Sequence, residues 1–87
     1  MRGNEIPPLD AMTVQNFMSM SEEEKAEALL KGRLAGVRED EWHTILLYKM
    51  DSFYVEVYYR NGLRQPSSFR PSTSKDLLEL YYNAYLN

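Results

Sequence analysis

The sequence predicts a small α+β domain: an N-terminal helix or two short helices, an antiparallel β-meander of three to four strands, and a C-terminal helix. Three observations carry this. Helical hydrophobic spacing appears before Gly32 and again after Thr73, strand-like runs fill the stretch between, and Asn61-Gly62 marks a tight reversal among those runs. Helices placed before and after a sheet, and not between its strands, indicate the α+β class. Both helices are then expected on one face of a two-layer structure, with the other face open.

Residues 1–10 read as an irregular arm, because Pro7-Pro8 favours extended backbone and cannot begin a strand ladder. After Thr13, the spacing of Val14, Phe17 and Met18 at i, i+3, i+4 predicts a short helix. Ser21-Glu22-Glu23-Glu24 is a capping box: Ser21 can accept from the Glu24 amide while Glu24 reaches back. Three carboxylates in a first turn suit the positive end of a helix, so the run reads as a helix start and not a metal site. That helix is expected to reach about Lys31, with Ala26, Leu29 and Leu30 on its buried face and Gly32 as its C′ residue.

Arg33 to Arg38 reads as a first strand, weakened by Gly36, and Glu39-Asp40-Glu41 as a turn. Trp42–Met50 and Phe53–Arg60 are rich in β-branched and aromatic residues and flank a two-residue Asp51-Ser52 turn. Asn61-Gly62 predicts a type I′ hairpin into a fourth strand from Leu63 to about Phe69. Pro66, lacking an N–H, puts that strand at a sheet edge. Thr73 with Asp76 forms a capping-box variant before the last helix. Its apolar stripe is Leu77, Leu80, Tyr81 and Ala84, widened by Leu78 and Tyr85.

The 87 residues suffice for one domain, with 44% hydrophobic and 26% charged residues and a formal charge of -3. The absence of Cys excludes a disulfide framework, a thiolate nucleophile and Cys-based metal sites. One His, no Ca²⁺-loop spacing and no Gly-rich phosphate loop leave no metal and no cofactor expected. Residues 1–8 lack an apolar leader region, and Ile45-Leu46-Leu47 is the longest clean aliphatic run. No leader and no membrane partner are therefore expected, and a cytoplasmic protein is.

Alternation along the third strand separates two faces. Phe53, Val55, Val57 and Tyr59 belong to the core, because Glu56 and Arg60 on the opposite set are costly to bury unpaired. A two-residue Asp51-Ser52 loop pairs Lys49 with Tyr54, Leu47 with Glu56, Ile45 with Tyr58 and His43 with Arg60. A two-residue Asn61-Gly62 loop adds Phe69 beside Tyr54 and Ser67 beside Glu56. The candidate interface is therefore Ile45, Leu47, Lys49, Tyr54, Glu56, Tyr58, Arg60 and Phe69, a sheet face too apolar and aromatic for a wet one. A Lys49–Glu56 ion pair is expected there. The competing expectation is that the arm, Trp42 or the last helix covers this face.

No catalytic residue is assigned. His43 falls about 13 Å from Glu56 along the strands, too far to share a proton. The leading expectation is a non-enzymatic interaction module that binds itself as a homodimer, or another protein. The alternative is a small-ligand site, or a minor enzyme, in a pocket at Trp42, His43 and Arg60 roofed by the arm. A third is a weak nucleic-acid or phosphate binder at Arg60, Arg64 and Arg70; the acidic balance argues against nucleic acid.

The strings Glu22-Glu23-Glu24-Lys25-Ala26-Glu27-Ala28-Leu29-Leu30, Ile45-Leu46-Leu47-Tyr48 and Phe53-Tyr54-Val55-Glu56-Val57-Tyr58-Tyr59, with Gly32 and Arg38 between them, are similar to a family of small bacterial proteins, a domain of unknown function. The resemblance spans about residues 21–60. It implies a helix–meander–helix chain of bacterial cytosolic origin and transfers no functional residue.

Overall fold

Four antiparallel strands follow one another across a single sheet in chain order: β1 (Arg33–Glu39), β2 (His43–Lys49), β3 (Tyr54–Arg60) and β4 (Ser68–Ser72). A 3-10 turn at Leu9–Ala11, α1 (Val14–Met18) and α2 (Glu22–Leu29) precede the sheet, and α3 (Leu77–Leu86) follows it. The computed structural model describes residues 6–86, with side chains to Tyr81. The first half of the expected arm and the stripe members Ala84 and Tyr85 lie outside the described backbone or side chains. The α+β class and the meander are as predicted.

Local chemistry sets the helix starts. Thr13 Oγ1 accepts from the Asn16 amide at 3.0 Å and Asn16 Oδ1 accepts from the Thr13 amide at 3.0 Å. Ser21 Oγ accepts from the Glu24 amide at 3.1 Å and Glu24 Oε1 accepts from the Ser21 amide at 2.8 Å. Two orphan amide donors are satisfied at each start. The buried face of α2 differs from the expected one: Ala28 and Leu29 are buried, Ala26 is exposed, and Leu30 lies past the last turn at 82% exposure. The helix ends before Leu30 can use its periodic position. Between β4 and α3, Ser74, not Thr73, caps the approach to α3, with Ser74 Oγ accepting from the Asp76 amide at 3.2 Å.

The β2–β3 register is the expected one, from His43 opposite Arg60 to Lys49 opposite Tyr54. The two-residue turn that sets it is closed by the Met50 amide donating to the Phe53 carbonyl at 2.9 Å. The β3–β4 register is not. Glu56 faces Arg70, Val57 faces Phe69 and Tyr58 faces Ser68, a slip of three residues. Gly62 has φ +87° while no other described residue has positive φ, and the Leu63 amide donates to the Arg60 carbonyl at 3.0 Å. One positive φ at the third position makes a type II turn, whereas type I′ needs two. The chain therefore loops out until the Ser67 amide meets the Tyr58 carbonyl at 2.7 Å. Pro66 sits in this loop, and the proline of the edge strand is Pro71. An odd slip exchanges faces: Phe69 moves to the core side and Arg70 to the other.

The helices occupy both faces, which corrects the two-layer expectation. On one side α1 and α2 cover Phe53, Val55, Val57 and Phe69, with Met12, Phe17, Leu29 and Met50. On the other, Tyr81 of α3 packs with Ile45 and Leu47, flanked by Tyr54, Tyr58, Leu77 and Leu78. Leu80, placed on the stripe by periodicity, is 49% exposed. Ile45, Leu47, Tyr54 and Tyr58 present enough apolar surface to demand a cover of their own. Gly36 makes room for it: a Cβ there would lie 3.0–3.2 Å from Tyr81 side-chain atoms. A β-bulge between Leu34 and Gly36 sets β1 locally out of step beside that contact.

Candidate functional site

The expected interface residues divide three ways. Ile45 and Leu47 are fully buried, Glu56 is 6% exposed, and Tyr54 and Tyr58 are half-buried beneath or beside α3. Phe69 is on the opposite face, edge-on to Phe17 at 6.2 Å. Arg60 is exposed, and Lys49 lies 5.0 Å over the Tyr54 ring instead of pairing with Glu56. The structure thus gathers five of the eight into a second core, not a free surface.

Glu56 is the centre of that core. The Tyr81 hydroxyl donates to Glu56 Oε2 at 2.6 Å, and Arg38 Nη2 donates to the same oxygen at 3.1 Å. Arg38 Nη2 also reaches the Tyr58 hydroxyl at 3.3 Å, and Arg70 Nη1 donates to that hydroxyl at 3.3 Å. Burial, then the neighbouring Glu56 carboxylate, hold the Tyr81 phenol well above its ordinary range. Burial alone would lower the Arg38 guanidinium, but its Tyr81 and Glu56 partners outweigh this and raise it. The Tyr58 hydroxyl raises Arg70 likewise. A buried carboxylate requires partners, and that signal was present in the sequence. Its partners, Arg38 and Tyr81, were missed because they come from elements whose placement depends on the first-strand register and the α3 side.

Trp42, His43 and Arg60 do line one hollow, of about 480 Å³. Asp40 fixes the backbone of two of them: its Oδ1 accepts from the Trp42 amide at 2.8 Å and the His43 amide at 2.7 Å. These amides, the Trp42 amide foremost, hold the Asp40 carboxyl below its ordinary range. The His43 ring stands edge-on to Tyr58 at 5.5 Å, linking the hollow to the Arg38–Tyr58–Arg70 cluster. The arm does not roof it. Lys31 Nζ donates to the Ile6 and Pro7 carbonyls at 3.3 Å each, and Leu9 borders Gly32 and Met50, so the described arm packs at the far end of the strands. Arg64 stays in the exposed loop, while Arg70 joins the face that carries Arg60.

A second surface was not foreseen. On the face of α1 and α2, Leu34 is 53% exposed and opposes Tyr48, and Val37 opposes Leu46. Val37, Leu46, Tyr48 and Tyr59 are each half-buried there. The short α1 packs on β4, at the opposite edge of the sheet from β1. Burial, then proximity to Tyr59, raise the Tyr48 phenol.

Among the described residues no three His, Asp or Glu side chains gather as a metal site, and no helix is long and apolar enough to cross a membrane. Neither a protein-family model, nor a curated protein, nor a solved structure matches the chain.

Proposed function

We propose that the protein is a non-enzymatic interaction domain that pairs with a second copy of itself. The contact surface is the β1–β2 half of the sheet face beside α1 and α2. The observation that carries this is Leu34, at 53% exposure, continuous with half-buried Val37, Leu46, Tyr48 and Tyr59. Aliphatic and aromatic side chains grouped on a sheet and left uncovered mark contact surfaces. None of the five carries a formal charge at neutral pH, which suits a self-complementary contact across a two-fold axis. Glu56 is engaged by Tyr81 and Arg38, which supports a structural and not a catalytic role for the one buried carboxylate among the described residues. The bacterial cytoplasm is the setting that the resemblance of residues 21–60 implies.

Light scattering across a concentration series tests it. The wild-type chain is expected to shift from monomer to dimer mass as concentration rises. Leu34→Ser with Tyr48→Ser is expected to remain monomeric at every concentration while keeping its circular dichroism spectrum. A wild-type chain that stays monomeric throughout overturns the proposal, as does a double variant that dimerises equally well.

A further inference from the structure

We propose that the sheet corner around Tyr58 is a binding site for a small planar anion, an aromatic ring bearing one phosphate group. Two guanidiniums, from Arg38 and Arg70, each approach within 3.3 Å of the one phenol oxygen. They come from β1 and from β4 on opposite flanks of β3, so the fold converges two like charges on a single point. Arg60 lies two residues further along β3 on the same face, about 7 Å away along the strand.

The counter-charge at this corner is already committed. Glu56 accepts from both Tyr81 and Arg38, and Asp40 accepts from two backbone amides. Arg38 is thus paired with Glu56, while Arg60 and Arg70 stand in no ion pair among the described residues. Among the described contacts, Arg38 uses only Nη2 and Arg70 only Nη1 as hydrogen-bond donors. Spare N–H groups remain on both. Separate guanidiniums that flank a hydroxyl suit the several oxygens of a phosphate, whereas a carboxylate is satisfied by one fork.

The adjoining hollow suits the ring. Trp42, the only tryptophan, is 64% exposed, and with His43 and Arg60 it lines about 480 Å³. Exposed indole is a stacking platform for a planar ring. His43 touches both parts, edge-on to Tyr58 and beside Trp42.

The test uses the full chain, low salt, and adenosine monophosphate, adenosine and inorganic phosphate as probes, followed by calorimetry and Trp42 fluorescence. Adenosine monophosphate is expected to bind at least about tenfold more tightly than either fragment and to change the indole emission. Arg60→Gln with Arg70→Gln is expected to weaken it by about tenfold or more at an unchanged melting temperature. Arg38 is left intact because it supports Glu56. Trp42→Ala is expected to reduce affinity to that of phosphate. The proposal is overturned by equal affinity for phosphate and the nucleotide, by silent fluorescence on saturation, or by undiminished binding in the double Arg variant. Tighter binding of a single-stranded oligonucleotide than of the mononucleotide also overturns it, in favour of a nucleic-acid surface.

Discussion

The two faces of the sheet are closed by different physics. Under α1 and α2 the core is a hydrocarbon contact: Phe17 is fully buried and meets Phe53 at 6.1 Å and Phe69 at 6.2 Å, both edge-on. Under α3 the contact is centred on a carboxylate: Glu56 is 6% exposed and is held by Tyr81 and Arg38. The first face tolerates change in proportion to volume, because dispersion and water exclusion are non-directional. The second depends on the presence of each partner, because a buried charge without its donors costs more than the bond that was lost. The same sheet thus combines a core held by volume with one held by specific polar partners.

The largest effect is expected where volume is removed. Phe17→Ala deletes a fully buried ring touching two others, and about 3–5 kcal/mol of stability should go with it. Urea unfolding followed by circular dichroism measures this. Phe17→Leu, which keeps most of the volume, should recover more than half of the loss; a loss as large as that of alanine would show that this face is not graded.

Glu56→Ala probes the other face. Tyr81 then loses its acceptor and Arg38 its carboxylate. The cost is expected at about 2–3 kcal/mol, below that of a fully buried pair because the Arg38 side chain is 22% exposed. The sharper comparison is Glu56→Gln, which keeps an acceptor for Tyr81 but gives up the charge. It should fall between wild type and alanine in the same unfolding experiment. If Glu56→Ala is neutral, the α3 face is a hydrocarbon contact like its counterpart.

This contrast also explains which parts of the molecule were legible beforehand. The two sets of side chains on β3 were readable because Glu56 and Arg60 alternate with Phe53, Val55 and Val57. The β2–β3 register followed from a two-residue turn. The β3–β4 register did not, because Asn61-Gly62 specifies a reversal but not where pairing resumes. One type II turn and a loop through Pro66 moved Phe69 and Arg70 to opposite faces. The side taken by α3 was hidden for another reason: an amphipathic stripe states that a helix needs a partner, not which one. Its trace was Gly36, whose missing side chain is Tyr81's space, together with an unpaired-looking Glu56. The Trp42, His43 and Arg60 hollow was legible because all three flank one strand pairing.

The smallest effect separates the faces by pH. Tyr81→Phe keeps the ring against Ile45 and Leu47 and removes only the hydroxyl, at about 1–2 kcal/mol near neutrality. Its pH signature is more telling. The Tyr81 phenol is raised in the folded chain by burial and by Glu56, while in the unfolded chain it titrates near its ordinary value of 10.0. Folding therefore favours the protonated phenol, and this contribution is complete below about pH 10 and declines as pH rises above it. Tyr48, raised by burial on the other face, acts with the same sign. Wild-type stability should therefore fall between about pH 9.5 and 11.5, and Tyr81→Phe should fall less steeply without becoming flat. Parallel urea titrations across that window decide it. Equal slopes would mean that the Tyr81 proton is not held by Glu56, and the distinction between the two faces would reduce to packing alone.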